Sequence, residues 1–538
     1  MNSPISRLVR AHLWVAFAAF AVAALMGAAQ MLVRSELTAP AERPETYFIS
    51  VTAHGTLMAY VLPTLFIMGF GYFVATTALD RALPSIKAAW VGFWMATAGI
   101  VMATIPILLG KATVLYTFYP PLTGSAFYYL GLVLVVVGSW VWAALMIIAM
   151  RDWKRANAGR PVPLAMFATV ANAVLWLWTT IGVAAELLFQ VIPAALGWTQ
   201  AIDVGLSRTL FSWTLHAIVY FWLIPAYIAF YTMLPQAAGG RLYSDTMGRL
   251  SFILLVLYSL PVGMHHLFMD PEHGAGFKFL QMMLTSLVTV PTLLTIFTIT
   301  ASLEIAGRLR GGRGLFGWIT KLPWDRPTVL ASGLGFVMLG LGGLGGLINM
   351  SYGMNAMVHN TTWVTAHFHL IFGGSVVIMY FAIAYEIWPK LIGRFAPSAT
   401  QMRVQLWSWF IGIMVMTLPW HVVGLSGQPR RVATFDYAYP QTAWWAPWTL
   451  VSTAGGAIML ISALHFVWIL ATAYRGTGQK ELRMSYALAV HPPHRVPAAL
   501  NGFALWNWLV LFLMLVAYGY PIAQFFIFDT PPAMIHHV

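Results

Sequence analysis

The chain has 538 residues, of which 60% are hydrophobic and only 8% are charged. Soluble domains contain about 25% charged residues, so the composition excludes an ordinary soluble globular protein. Cysteine is absent, which excludes disulfides, iron-sulfur clusters and thiolate zinc or copper centres built from this chain alone. The net charge of +13 fits the basic loops of a membrane protein better than nucleic-acid binding, because no loop combines a basic run with interleaved aromatic residues.

Apolar runs of about 18 or more residues recur along the whole chain, and each is long enough to cross a hydrocarbon core of roughly 30 Å as a helix. The sequence therefore predicts an all-α protein, a polytopic transmembrane helical bundle that forms one domain over residues 1–538. About thirteen spans are expected, at residues 12–34, 48–78, 86–109, 124–150, 164–192, 206–235, 245–268, 276–306, 328–350, 358–390, 402–425, 445–473 and 500–527.

The loop charges predict the orientation of these spans. Most of the 29 lysines and arginines fall in alternate loops that share the side of the N-terminus, including clusters at 151–160 and 308–326. The positive-inside rule then places the N-terminus in the cytoplasm and the C-terminus outside a bacterial or archaeal cell membrane. The first apolar segment is too long for a cleaved signal sequence, so it is expected to be a retained span.

Six histidines fall inside four of the predicted spans, all in the outer half of the membrane. An ionisable side chain is costly there and marks a functional site, although any one histidine alone is equally well explained as a neutral side chain in a helix-helix hydrogen bond. Four distant spans have no reason to place histidines in one layer unless the bundle gathers them into a site. The six are His54, His216, His265, His266, His367 and His369.

Local spacing divides these histidines among metal centres. His367 and His369 are two residues apart, about 200° around a helix, so they must serve different centres. With His54, one of them would give a haem iron two axial imidazoles, as in electron-transfer haems, and the other would leave a haem coordination position open. The remaining histidines form a three-imidazole group that suits copper or zinc and leaves one coordination position of the metal vacant: His216, His265 and His266.

Three motifs carry a resemblance to a known family. The stretches His216-Ala-Ile-Val-Tyr220 and Thr365-Ala-His367-Phe-His369, with the pair His265-His266 between them, resemble subunit I of the haem-copper oxygen reductases over nearly the whole chain. The closest similarity is to the B branch, the ba-type cytochrome c oxidases. The resemblance implies a low-spin haem, expected to be of the b type, on His54 and His369.

The same resemblance implies a high-spin haem of the a or o type on His367, with one copper ion on the group His216, His265 and His266. Tyr220 would be the catalytic tyrosine, covalently joined to the copper-binding histidine and supplying an electron and a proton when the O–O bond breaks. Related nitric oxide reductases characteristically lack this tyrosine, so it favours dioxygen reduction. Nitric oxide reduction remains the alternative within the superfamily.

A polar stripe below the site is a candidate proton path. Tyr220, Tyr227 and Tyr231 share one face of their helix, and Thr292 and Thr295 lie one turn apart on a later span. This pattern resembles the single proton channel of the B branch. An aromatic stripe with threonines bonded to their own helices would look the same in sequence.

Charged residues of the outer loops complete the candidate site. Arg430 and Arg431 form an anion clamp that resembles the haem-propionate arginines of the family, and His359 matches another propionate-side position. Asn355 stands where the ba-type pattern has an acid, which puts proton release there in doubt.

Two further groups lie near the outer surface. Arg208 and Asp270 are expected to pair there. Glu186 lies near the outer end of a span and is either a proton-handling carboxyl or a neutral acid satisfied by a neighbour.

Without cysteine, the chain cannot form the dinuclear copper centre that accepts electrons in such oxidases, so a second subunit is expected to carry it. Cytochrome c is the expected donor, with quinol as the alternative, and the products would be water and a proton gradient from proton uptake and pumping. From a different class, a proton or metal transporter with buried histidines would predict no haem.

Overall fold

The computed structural model describes residues 3–38, 44–394, 397–473, 482–528 and 533–534. Within these residues, thirteen helices are long and apolar enough to cross a membrane, and they overlap all thirteen predicted spans. The predicted fold class is confirmed. The helices are α1 (Pro4–Arg34), α2 (Pro44–Leu79), α3 (Ile86–Leu108), α4 (Ala126–Ala156), α5 (Leu164–Ala195), α6 (Val204–Ala237), α7 (Asp245–Leu267), α8 (Ala275–Leu309), α9 (Pro327–Met350), α10 (Thr362–Ile392), α11 (Ala399–Leu425), α12 (Pro440–Thr472) and α13 (Ala504–Ile527).

The helices form an inner and an outer set. Helices α2, α5, α6, α7 and α10 are largely buried, whereas in the other eight described spans at most half of the most apolar stretch is buried. A helix that is apolar all round can be buried by protein on every side or can face lipid, so composition alone does not separate the two sets. All six histidines of the predicted layer lie on inner helices.

Polar residues in the loops set where helices begin. The Ser85 side chain accepts a hydrogen bond from the Ala88 amide at 3.1 Å and begins α3. Asp203 accepts from the Leu206 amide at 2.9 Å and begins α6. These caps satisfy backbone donors that have no partner within the helix.

Small residues let α3 and α4 pack closely. A Cβ on Gly92 would lie 2.9 Å from the Gly138 carbonyl oxygen, and a Cβ on Gly99 would meet the Gly131 carbonyl oxygen. In a membrane, close backbone packing through glycine replaces the hydrophobic driving force that is missing between apolar helices. This contact holds the two outer helices α3 and α4 against each other.

Irregular turns interrupt the inner helices beside the histidines. Helix α2 passes into a π-helical turn at Leu57–Val61, and α10 has one at His369–Val376. The regular part of α7 ends before Pro261, which lacks a backbone N–H, and a 3₁₀ turn over Gly263–Leu267 follows. Such turns reorient side chains and are common at functional sites.

Outside the spans, a short helix over Tyr352–Val358 lies between α9 and α10. The strands Ala201–Ile202 and Ala533–Met534 pair antiparallel, with Ala201 opposite Met534.

Candidate metal and proton site

The His54 and His369 imidazoles face each other across the bundle. Their ring centres are 6.1 Å apart and their planes differ by 13°. Two metal–nitrogen bonds of roughly 2.0 Å, with roughly 1.1 Å from each nitrogen to its ring centre, give about 6.2 Å. The spacing therefore fits two imidazoles that would bind one iron between them.

Each of these rings is fixed by its other nitrogen. His54 Nδ1 donates to the Ala23 carbonyl oxygen at 2.8 Å, and His369 Nδ1 donates to the Thr365 carbonyl oxygen at 2.8 Å. A carbonyl oxygen can only accept a hydrogen bond, so Nδ1 must carry the proton. In this tautomer the Nε2 lone pair is available to a metal ion. Metal-binding histidines commonly have this arrangement, in which one ring nitrogen donates to a carbonyl and the other binds the metal.

His367 points away from His369, as the helical spacing predicts. Its Nδ1 donates to the Gly342 carbonyl oxygen of α9 at 2.8 Å, so its Nε2 is also available. One glycine of α9, Gly345, lies directly beside the ring, where a Cβ would be 3.2 Å from Nδ1. The ring is therefore held against the backbone of α9.

The remaining three histidines form a compact group. One nitrogen from each of His216, His265 and His266 lies within 4.8 Å of the others. His265 Nδ1 donates to the Val262 carbonyl oxygen, whereas Nε2 of His216 and of His266 is buried without a hydrogen-bond partner. Unpaired buried nitrogens are costly, and a metal ion that accepts their lone pairs removes this cost. Three neutral imidazoles fit copper or zinc.

Tyr220 lies against this group. Its ring centre is 4.9 Å from that of His216, one helical turn earlier, with the planes inclined by 50°. A phenol in this position can deliver a proton or an electron to a ligand bound at the three histidines. The structure thus brings the predicted catalytic tyrosine to the predicted copper ligands.

The hydroxyls of the predicted proton path meet in pairs between α6 and α8. The Tyr227 hydroxyl donates to Thr292 Oγ1 at 3.3 Å, and the Tyr231 hydroxyl donates to Thr295 Oγ1 at 3.1 Å. Ser251 of α7, which the sequence analysis missed, lies 2.7 Å from Thr295 Oγ1 through its own hydroxyl. Both threonines face tyrosines of another helix. Thr295 Oγ1 also donates to the Pro291 carbonyl oxygen of its own helix at 2.9 Å, which is the contact that the alternative of an aromatic stripe expects.

The outer loops gather cations above the histidine layer. Arg430 donates to the Asn360 side chain at 3.1 Å, while its Nε is buried without a partner. Burial, followed by the neighbouring Arg431, lowers the pKa of Arg430 to about 9. An anion would neutralise this cluster, so a carboxylate-bearing cofactor fits here.

His359 belongs to the same cluster. Its Nδ1 lies 3.2 Å from Asn355 Oδ1, and the Asn355 amide donates to the Asn349 carbonyl oxygen at 2.6 Å. This second bond fixes the amide so that its oxygen faces the histidine. Burial, followed by Arg430 and other nearby arginines, lowers the pKa of His359 to about 4, so the ring is neutral near pH 7.

Two predictions for the outer end of the bundle have different outcomes. The pairing of Arg208 with Asp270 is confirmed at 2.9 Å. Glu186 is fully buried, and its Oε1 accepts from the Ser207 hydroxyl at 2.6 Å, whereas Oε2 has no partner. The neighbour therefore satisfies only half of this carboxyl, and both interpretations of Glu186 stay open.

The fold and the histidine layer define a polytopic helical membrane protein with a group of buried histidines that could hold a metal ion. The family model described as Cytochrome C and Quinol oxidase polypeptide I matches residues 7–458, most of the chain. The chain belongs to this family.

Similar proteins agree with this assignment. Cytochrome c oxidase subunit 1 of Thermus thermophilus is 39% identical over 493 residues, which cover 90% of this chain and 87% of that protein. Cytochrome c oxidase subunit 1 of Thermostichus vulcanus is 28% identical over 479 residues, covering 85% of this chain and 81% of that protein. A solved structure described as a heme-copper terminal oxidase dimer has a TM-score of 0.95 at 31% identity, covering 100% of this chain and 95% of that one.

The family assignment confirms the predicted resemblance and the predicted activity. The chain is the catalytic subunit of a terminal oxidase, a haem-copper oxygen reductase of the respiratory chain. The family implies haems and copper as cofactors, a subunit II partner, an electron donor that is cytochrome c or quinol, and dioxygen as the acceptor. It also implies a multi-pass membrane protein, in agreement with the spans.

Proposed function

We propose that this chain reduces dioxygen to water at a site formed by a high-spin haem and one copper ion, and that the histidine layer supplies all of the metal ligands. The low-spin haem, of the b type, is held by His54 and His369, and the high-spin haem, of the a or o type, by His367. The observation that carries the proposal is the three-histidine group, whose ligand atoms lie within 4.8 Å of one another. Its members, the copper ligands, are His216, His265 and His266.

When bound, the haems and copper supply electrons and open coordination positions for dioxygen. The protein orients these three ligand rings, because Nδ1 of His54, His367 and His369 is anchored on a backbone carbonyl. Anchored imidazoles lose little orientational freedom on binding and are better electron donors to the metal. His367 and His369 are two residues apart on one helix, so the haems that they would hold would lie close enough for electron transfer.

Tyr220 provides the proton and electron that complete the cleavage of dioxygen, from its position beside His216. Four electrons and four protons are consumed for each dioxygen converted to two waters. Tyr231, Thr295 and Ser251 begin the proton path on the cytoplasmic side, and Tyr227 with Thr292 continues it toward Tyr220. Uptake from the cytoplasm makes the reaction electrogenic, with proton pumping in addition.

A single hydroxyl path of this kind supports assignment to the B branch of the family. On the outer side, Arg430 and Arg431 bind the haem propionates, and neutral His359 accompanies them. Subunit II carries the dinuclear copper centre, since this chain has no cysteine, and delivers electrons from cytochrome c. The N-terminus lies in the cytoplasm and the C-terminus outside, in agreement with the charges of the loops.

Metal and haem analysis of the purified complex tests the ligand assignment. We expect two haems and one copper for this subunit, after copper of the partner subunit is subtracted. His266→Ala should lose that copper and oxygen turnover while retaining both haems. The matched control is His465→Ala, since His465 lies on α12, outside the histidine layer. Full copper in the His266→Ala complex would contradict the proposal.

A further inference from the structure

Two of the three proposed haem ligands, His54 of α2 and His367 of α10, share a feature that the ligand assignment does not explain. His54 Nδ1 donates to the Ala23 carbonyl oxygen of α1, and His367 Nδ1 donates to the Gly342 carbonyl oxygen of α9, both at 2.8 Å. In the described part of the chain, no other histidine donates to a backbone carbonyl of a different helix. Three helical histidines instead use the carbonyl four residues earlier in their own helix: His12, His369 and His421.

A glycine follows each acceptor by four residues. Gly27 follows Ala23 on α1, and Gly346 follows Gly342 on α9. A helical Cβ leans back over the preceding turn, so the side chain at position i+4 covers the carbonyl of residue i. Without a Cβ at position i+4, that carbonyl is more open to a ring from another helix.

The distances agree with this geometry at both sites. A Cβ on Gly27 would lie 3.0 Å from both Cε1 and Nδ1 of His54. A Cβ on Gly346 would lie 3.2 Å from Cε1 of His367. Carbon atoms in ordinary contact are roughly 3.5–4.0 Å apart. A methyl group at either position would therefore displace the imidazole ring that now lies against the glycine.

We propose that Gly27 and Gly346 are positioning residues, each opening a slot on its helix through which the imidazole docks on the carbonyl four residues earlier. The proposal rests on the haem ligation proposed above. Displacing the ring by a few tenths of an ångström lengthens the Nδ1–H···O bond, which fixes ring orientation and increases the basicity of Nε2. The two glycines thereby set ligand strength at the two haem sites independently.

Helix α9 provides a matched control for substitution. A Cβ on Gly343 would meet nothing within 4 Å, although Gly343 is on the same helix as Gly346. Replacement of glycine by alanine raises helix propensity equally at both positions. Any difference between Gly346→Ala and Gly343→Ala therefore reports the contact with His367.

The test compares Gly27→Ala, Gly346→Ala and Gly343→Ala in the purified complex. Gly27→Ala should change the electron paramagnetic resonance signal of the low-spin haem and shift its midpoint potential upward, because a less basic ligand stabilises the ferric state less. Gly346→Ala should lower the iron–histidine stretching frequency of the reduced high-spin haem in resonance Raman spectra. Each variant should leave the other haem unchanged, and Gly343→Ala should change neither.

Equal spectra for Gly346→Ala and Gly343→Ala, or an unchanged low-spin haem in Gly27→Ala, would overturn the proposal. If Gly346→Ala does not assemble, Gly345→Ala takes its place, since a Cβ there would lie 3.2 Å from His367 Nδ1, and an unchanged stretching frequency would then refute the slot on α9. Absence of haem from the wild-type complex would instead refute the proposed function, so the two failures are distinguishable.

Discussion

Removing the Tyr231 hydroxyl should block proton delivery while leaving the fold intact. This hydroxyl is fully buried and donates to Thr295 Oγ1 at 3.1 Å. In Tyr231→Phe, Thr295 keeps its contact with Ser251 at 2.7 Å, so no threonine hydroxyl is left without a partner. The loss of one neutral hydrogen bond costs about 0.5–1.5 kcal/mol of stability, which a bundle of this size tolerates.

The effect on turnover should be much larger. Tyr227 is the next tyrosine along α6, four residues or about 6 Å nearer the metal site. Without the Tyr231 hydroxyl, the hydrogen bonds of Thr295 among the described residues are those to Ser251 and to the Pro291 carbonyl oxygen, and neither partner lies on α6. Loss of a positioned proton-transfer group slows a reaction by about 10²-fold or more, equivalent to about 2.7 kcal/mol in the barrier.

The assay is steady-state oxygen consumption, combined with proton uptake by the complex in liposomes. Tyr380→Phe is the matched control, because it also deletes one buried hydroxyl and one hydrogen bond, to the Trp222 carbonyl oxygen at 2.8 Å. We expect Tyr380→Phe to remain within about twofold of wild type, in keeping with a loss that affects stability alone. Retention of more than half of the wild-type turnover by Tyr231→Phe would refute the assigned path.

Three further outcomes follow from the same geometry. His369→Ala should abolish the low-spin haem spectrum while copper content is kept, as measured by optical spectra and metal analysis. Asn355→Asp places a carboxylate where an amide oxygen now lies 3.2 Å from His359, so the pKa of His359 should rise from about 4 and the pH profile of turnover should gain a new transition above that value. Burial raises the pKa of Asp270 to about 6 from 3.8, against the opposing effect of its partner Arg208. Because the fold favours the protonated carboxyl, its stabilising contribution is full below about pH 4 and is lost as pH rises through about 6. Asp270→Asn should therefore remove the pH dependence of the unfolding temperature between these two values.

Periodicity and composition predicted the spans well because hydrocarbon thickness dictates helix length. The division into inner and outer helices was not predictable, since lipid and protein interior are equally apolar. The histidines were recognisable because an ionisable group inside a membrane is rare and expensive. Their common depth followed from the topology, without knowledge of which helices touch.

Contacts between distant helices were the part that sequence could not supply. Ser251 is one serine in an apolar span, and only the packing of α7 against α8 places it beside Thr295. Gly27 and Gly346 likewise look like ordinary membrane glycines until another helix brings an imidazole to them.

The central claim is that the histidine layer supports reduction of dioxygen to water. The most direct measurement is the electron stoichiometry of oxygen uptake by the purified complex, with nitric oxide tested on the same sample. We predict rapid, cyanide-sensitive uptake with four electrons consumed per dioxygen and no peroxide released. Consumption of nitric oxide with dioxygen ignored, or release of peroxide as the main product, would contradict the account.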